Sequence, residues 1–391
     1  MHIDLNAFFA TCEEIKDPTL ADKPVIICSE TARGVVSTAS YKAREYGVHS
    51  AMPYFEAKRL CPNGFFIKPD FGYYEMMSRS FFSFLRRYSL IIEEASIDEG
   101  YVDMSEACKG VTNPELYFQN IMDTLKKEIG LKCSIGVAPT KFLAKMASDM
   151  KKPMGITLIY RKNLRETLYP LPIESFFGIG RKTSTKLNEM GIKRIGDLKE
   201  RIDSDDERIK KLFGKSYVNI KAEINGYGDD VVDPTPYNPK SLGHSETFSY
   251  DTNDECIIEN KIKELSFEVS EGIKRDKKKG KTVVLTVKDT DFKNHNKSIS
   301  LSEGIDDGDE ISSIAIKLYE QNYLGMLIRL VGVTIQSLYD PQDEITQMNF
   351  WNFSEYEKMD ETKLLVNELN RKMKKPVLKM ANEVKKKDGN K

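Results

Sequence analysis

Apolar and polar residues alternate through KTVVLTVK (281–288), the period of a strand with one buried face. Upstream, Ile258, Ile262, Leu265, Val269 and Ile273 recur at helical intervals. Thr252 and Glu255 stand ahead of them at capping-box spacing. Residues 242–250 read as a strand, 297–301 as a further strand, ISSIAIKLYEQ (311–321) as a helix and IRLVGVTIQSL (328–338) as a long closing strand. The resulting order, βαββαβ, predicts a compact sheet with helices on one face. Its loop 274–281 carries the most basic run in the body of the chain.

The first 150 residues alternate in the same manner. HIDLNAFFA opens as a short apolar strand, PVIICS reads as a buried strand and SYKAREYG as a helix stopped by Gly47. SIDEGYVDM has the pattern strand–turn–strand, and KCSIGVA is one more strand. The expectation is an α+β core. Between Asp229 and Pro239 lie three acids and three prolines, which exclude helix and central strand and predict a linker. A second break is expected near Lys152-Pro153-Met154-Gly155, and the Lys-rich end KKKDGNK is expected to fray.

At 391 residues the chain has room for two to four domains of about 100–200 residues each. With 40% hydrophobic and 30% charged residues it reads as globular. No apolar run approaches the roughly 20 residues of a membrane span. The acid-bearing start, MHIDLNAFFA, does not resemble a signal peptide, so the cytoplasm is the expected location. The six cysteines are scattered without a CxxC, and the four histidines lack metal-ligand spacing. This argues against a zinc site and a disulfide framework. The net charge of −1 hides a gradient: residues 151–230 hold 17 basic against 12 acidic residues, so they are locally positive and suit a phosphate-rich partner.

Asp4 lies between Ile3 and Leu5, and Asp98 and Glu99 lie in Ser96-Ile97-Asp98-Glu99-Gly100-Tyr101. Carboxylates among apolar strand residues are costly unless they are paired or bind a cation. Three of them suggest an oxygen-ligand site for a hard ion such as Mg²⁺. A charged hairpin tip at 98–99, with Asp4 capping the chain start, accounts for the same residues. Phe176-Phe177-Gly178-Ile179-Gly180-Arg181-Lys182, followed by Thr183–Met190 and Gly191-Ile192, has a helix–hairpin–helix pattern. Its glycines let backbone N–H groups approach a phosphate, which makes Gly178, Gly180 and Lys182 candidates for DNA contact. A plain helical hairpin is the alternative.

Asp4-Leu5-Asn6-Ala7-Phe8-Phe9-Ala10, Tyr41-Lys42-Ala43-Arg44, Ser96-Ile97-Asp98-Glu99 and Lys152-Pro153, together with the hairpin, resemble in order and spacing the motifs of Y-family translesion DNA polymerases. The resemblance is to the bacterial polymerase IV (DinB-type) branch and covers roughly residues 1–351. It implies an α+β right-hand polymerase. A ferredoxin-like palm would span 1–15 and 73–160, small fingers 16–72, a helix–hairpin–helix thumb 161–230, a linker 231–240, a βαββαβ little finger 241–340 and a tail 341–391. It implies template-directed, low-fidelity addition of dNTPs to a primer 3′-OH, and the domain assignment leaves no stretch for a proofreading nuclease.

By the same resemblance, Asp4, Asp98 and Glu99 are the catalytic acids and, with the Leu5 carbonyl, the ligands of two Mg²⁺ ions. Asn6 stands where the family often has Asp and is not counted as a ligand. Tyr41, Arg44 and Lys152 would grip the nucleotide phosphates. Phe9 would be the steric gate against a 2′-OH, and Phe8 would support the nucleotide or face the core. Lys277, Lys278 and Lys279 would touch duplex phosphates. Gln347, Met348, Phe350 and Trp351 resemble a sliding-clamp (β-subunit) binding motif, with Phe-Trp where Leu-Phe is usual. The expected partners are primer–template DNA, a dNTP and the clamp, with the polymerase a monomer. Two rival readings use many of the same residues: a two-metal DNA nuclease and a non-catalytic, clamp-associated DNA-binding protein.

Overall fold

The computed structural model describes residues 1–343, in two compact units that divide between Asn238 and Pro239. The first unit begins with β1 (His2–Leu5) and α1 (Phe8–Lys16). A small sheet follows, in which β2 (Val25–Cys28) pairs antiparallel with β3 (Val36–Ala39) and parallel with β4 (Phe65–Ile67). The helices α2 (Tyr41–Glu45) and α3 (Tyr54–Leu60) accompany it. The chain then runs through α4 (Phe71–Leu85), β5 (Ile92–Glu94), β6 (Glu99–Val102), α5 (Pro114–Ile129), β7 (Cys133–Val137), α6 (Lys141–Met150) and β8 (Ile156–Leu158). The main sheet has the order β5-β6-β1-β7-β8, so β1 is its central strand.

Alternation along β1 sends Ile3 and Leu5 into a core with Tyr74, Phe81, Phe82, Phe118, Ile121 and Leu125, from α4 and α5. His2 and Asp4 face the opposite way. Their neighbour there is α6, whose Lys145 and Ser148 reach them. The apolar side of α6 (Phe142, Leu143, Met146) enters a separate core shared with Leu164, Ile173 and Leu187. That core belongs to the helices α7 (Leu164–Thr167), α8 (Arg181–Glu189), α9 (Ile195–Asp203), α10 (Glu207–Phe213) and α11 (Tyr217–Ile224). One short helix thus joins the sheet to the helical subdomain.

The second unit contains β9 (Ser241–Thr252), α12 (Glu255–Arg275), β10 (Lys279–Asp289), β11 (Asn294–Ile305), α13 (Gly308–Asn322) and β12 (Ile328–Tyr339). Its antiparallel sheet has the order β11-β10-β12-β9. The expected βαββαβ order is found. Both helices cover one face, with Ile258, Ile262, Leu265 and Val269 of α12 buried against Val283, Leu285, Val331 and Val333.

Several local expectations are corrected. HIDLNAFFA is not one strand: β1 ends at Leu5, Ala7 adopts a left-handed φ of 45°, and Phe8 and Phe9 open α1. SIDEGYVDM is not strand–turn–strand, because Ser96–Asp98 form the turn and the partner strand is β5, upstream. The break at 152–155 is not a boundary, since β8 rejoins the same sheet beside β7. Asp254, not Thr252, caps α12, its carboxylate accepting from the Ile257 N–H. The basic loop shortens to 276–278, with Lys279 already on β10. The segment after Asp229 forms neither helix nor strand, yet it is tied down at two residues. Asp229 pairs with Lys141 at 2.6 Å, and the Asp233 N–H donates to Glu93 at 3.0 Å. Among the described residues no helix is long and apolar enough to cross a membrane.

Candidate active site

Strand register brings the acids together. Asp4 on β1 lies directly opposite Glu99 on β6, and the Leu5 N–H donates to the Asp98 carbonyl at 2.9 Å. Residues directly opposite in an antiparallel pair project from the same face, so Asp4 and Glu99 share it. The Lys145 ammonium bridges them, 3.1 Å from Asp4 Oδ2 and 2.6 Å from Glu99 Oε2. Lys152 adds a second contact to Asp4 Oδ2 at 2.8 Å and reaches Asp149 at 2.7 Å. Beneath them the fully buried His2 bonds Ser148 Oγ through Nδ1 at 2.8 Å, and its Nε2 lies 3.5 Å from Glu99.

The electrostatics separate the two acids of the turn. His2 and then Lys145 hold the Glu99 carboxyl well below the usual carboxylate range, against the opposing effect of burial. The Asp98 carboxyl is pushed up, by burial first and then by the charges of Asp4 and Glu99, although the Ser96 hydroxyl donates to it at 2.6 Å. Burial would lower the Lys145 ammonium, but its bond to Glu99 and the charge of Asp4 outweigh this and raise it. Burial lowers the His2 imidazole.

Among the described residues no group of three or more His, Cys, Asp or Glu side chains stands in metal-holding geometry. The physical reason is visible. Two ammonium groups take up the Asp4 and Glu99 oxygens, and Asp98 turns to Ser96. The donor set itself fits a hard divalent ion: adjacent carboxylates, one of them with charge repulsion left to relieve, and no soft ligand.

Tyr41 and Arg44 share one face of α2. The guanidinium sits 4.6 Å from the Tyr41 ring, and its Nε donates to the Ala39 carbonyl at 3.0 Å. Burial, opposed by the nearby Arg44 and Lys152 charges, raises the Tyr41 hydroxyl. Phe8 is 3% exposed in the core, so its ring faces apolar neighbours and not the site. Phe9 is half-buried. It stacks on Tyr74 at 4.4 Å and 12°, with Phe71 edge-on at 6.0 Å. The Tyr74 hydroxyl in turn donates to the buried Glu13 at 2.8 Å, which fixes the stacking partner.

The remaining candidates lie elsewhere. Gly178, at φ 91°, and Gly180, the N-cap of α8, have open space where a Cβ would stand; Lys182 is exposed on the first turn of α8. The element preceding this hairpin is only a short 3₁₀ turn, Ile173–Ser175. In the second unit, Lys277 turns the chain at φ 55°, beside Lys278 and Lys279. Gln347, Met348, Phe350, Trp351 and the charged helix expected at 354–375 lie outside the described residues.

Sequence reasoning missed Lys145, His2, Ser148 and Tyr74. One signal was available: His2 is two positions from Asp4 on the same strand face. Lys145 gave none, because a lysine on a short amphipathic helix reads as solvated.

Acidic oxygens fit to hold a hard cation, set against cations fit to hold phosphates, are what nucleotidyl transfer demands. On this fold they mark the class of right-hand polymerases. Residues 3–149 match the impB/mucB/samB family, residues 161–192 the IMS family HHH motif, and residues 239–350 the impB/mucB/samB family C-terminal domain. DNA polymerase IV of Bacillus velezensis is 37% identical over 374 residues, covering 95% of this chain and 89% of the relative. A Y-family DNA polymerase chimera of Dbh and Dpo4 superposes with a TM-score of 0.77 at 25% identity, over 86% of this chain and 98% of the other. An insertion ternary complex of Dbh DNA polymerase has the same identity and coverage, with a TM-score of 0.58. The chain belongs to the impB/mucB/samB family, the Y-family DNA polymerases.

Proposed function

We infer that the chain is a template-directed DNA polymerase of translesion type, adding dNTPs to a primer 3′-OH. The observation that carries this is the Asp4–Glu99 register, with Asp98 adjacent and with Lys152, Tyr41 and Arg44 close by. A nuclease or a non-catalytic DNA binder has no need of a nucleotide wall such as Phe9 on Tyr74, and the relatives' names favour neither.

Polymerases of this family depend on a divalent metal. In this reading Asp4, Asp98, Glu99 and the Leu5 carbonyl hold two Mg²⁺ ions, which when bound acidify the primer hydroxyl and neutralise the leaving pyrophosphate. Lys145, bonded to both Asp4 and Glu99, holds these carboxylates close before substrate arrives, and His2 braces Glu99. Arg44, braced by Tyr41 and the Ala39 carbonyl, and Lys152 grip the triphosphate. Phe9 closes the sugar pocket.

DNA contact is spread over two surfaces. The open glycines of the α8 hairpin offer backbone N–H groups to a phosphate without reading bases. In the second unit, strand register gathers Ser245, Thr286, Asn296, Ser298, Ser300 and Thr334 on the sheet face away from the helices. Uncharged hydroxyl and amide donors there suit backbone phosphates, with Lys277, Lys278 and Lys279 adding charge. The domain boundaries are assigned as palm 1–15 and 73–160, fingers 16–72, thumb 161–230 and little finger 241–340.

Primer extension with each dNTP and Mg²⁺, on undamaged and lesion-bearing templates, tests the reading. Templated extension that stalls little at the lesion is expected; shortening of the primer without dNTP would overturn it. Deleting 347–351 should remove stimulation by the sliding clamp and leave clamp-free extension intact. Equal loss in both assays would instead assign Phe350 and Trp351 to packing.

A further inference from the structure

We propose that Asn6 is a positioning residue for Lys152, and through it sets the affinity for the triphosphate of the incoming nucleotide. This rests on the reading of Lys152 as a phosphate contact.

Asn6 is 2% exposed and lies one residue beyond β1. Its backbone and side-chain polar groups reach three segments, at 132–134, Thr11 and Met154. Its N–H donates to the Lys132 carbonyl at 2.7 Å, and its own carbonyl accepts from Thr11 Oγ1 at 2.8 Å. Its Nδ2 donates to Ser134 Oγ on β7 at 3.0 Å. Its Oδ1 accepts the Met154 N–H at 2.7 Å, with the Ser134 hydroxyl a longer second donor at 3.3 Å. The Met154 bond matters most for function, because Met154 lies two residues beyond Lys152 in the tight turn between α6 and β8.

That turn is clamped from two sides. Gly155 approaches so closely that a Cβ there would lie 2.0 Å from the Lys151 carbonyl oxygen, and its own carbonyl accepts the Ile135 N–H from β7. Asn6 supplies the other clamp. A lysine side chain is long and rotationally free, so its working direction depends on where its backbone is pinned. With the turn held, the Lys152 ammonium stands between Asp4, at 2.8 Å, and Asp149, at 2.7 Å. Asn6 therefore needs no charge to matter. It must present an acceptor to Met154 while satisfying Ser134, which Asp can also do, because the Ser134 hydroxyl can turn to donate. Serine at position 6 can still pair with Ser134 but is too short to reach Met154.

The test compares Asn6→Ser, Asn6→Asp, Lys152→Ala and the Asn6→Ser/Lys152→Ala double variant, in the full chain with primer–template and Mg²⁺. Asn6→Ser should raise KM for dNTP about tenfold, the effect of one hydrogen bond's worth of misplacement, with kcat little changed. Equilibrium dNTP binding on a dideoxy-terminated primer should weaken by the same factor. Asn6→Asp should restore both, and the double variant should be no worse than Lys152→Ala. KM does not depend on the folded fraction, so partial unfolding of a variant leaves the reading intact. A normal KM in Asn6→Ser, or a defect that multiplies with that of Lys152→Ala, overturns the proposal. If Lys152→Ala itself leaves KM unchanged, the phosphate role of Lys152 fails first and takes the proposal with it.

Discussion

Asp98→Asn is expected to reduce primer extension by about 10⁴-fold or more, the scale of losing one member of a catalytic set, while duplex binding is retained or tightened. The two effects have different origins. Asp98 is the acid whose carboxyl is pushed up, by burial and by the charges of Asp4 and Glu99, so it carries the least compensated charge of the three. Asparagine keeps its shape and its bond with Ser96 but removes the anionic oxygen that a divalent ion needs. The same change removes a negative charge from a surface that must accept phosphates, which favours DNA binding. Single-turnover extension and fluorescence anisotropy at one salt concentration separate the two. Extension within tenfold of the parent would remove Asp98 from the catalytic set. Loss of both activities would mean that the 95–98 turn had unfolded.

The second large effect concerns sugar selection. Phe9→Ala should admit ribonucleotides. Forcing an extra group into a packed site costs about 1–3 kcal/mol, so discrimination should fall by roughly five- to 150-fold. The proposed gate is backed on its far side: Phe9 stacks on Tyr74, Tyr74 is held by Glu13, and Phe71 meets both rings edge-on. Competition between dCTP and CTP opposite a template guanine measures the ratio. An unchanged ratio would refute the gate. Phe8→Ala, which deletes a ring 3% exposed in the core, should lower the melting temperature with little change in that ratio.

The parts that could be read locally share a property. The βαββαβ unit was legible because each element announces its own period, as in Ile258-Ile262-Leu265-Val269 and KTVVLTVK. The run AFFA carries no such period, which is why Phe8 and Phe9 look like strand residues and in fact begin α1. The linker was legible from its prolines. Its anchoring through Lys141 and Glu93 was not, since those partners are distant in the chain.

The same division runs through the site. Local spacing put Tyr41 and Arg44 on one helix face and glycines in a hairpin, because each depends on neighbours within a few residues; the resemblance of the ordered motifs, not composition, singled out Asp4, Asp98 and Glu99 as candidate acids. Folding alone put Asp4 opposite Glu99, buried Lys145 between them, stacked Phe9 on Tyr74 and gave Asn6 the turn that carries Lys152. Backbone periodicity is a short-range property of the chain. Strand register and the burial of a charge depend on which surfaces meet, and only the packed structure brings those surfaces together.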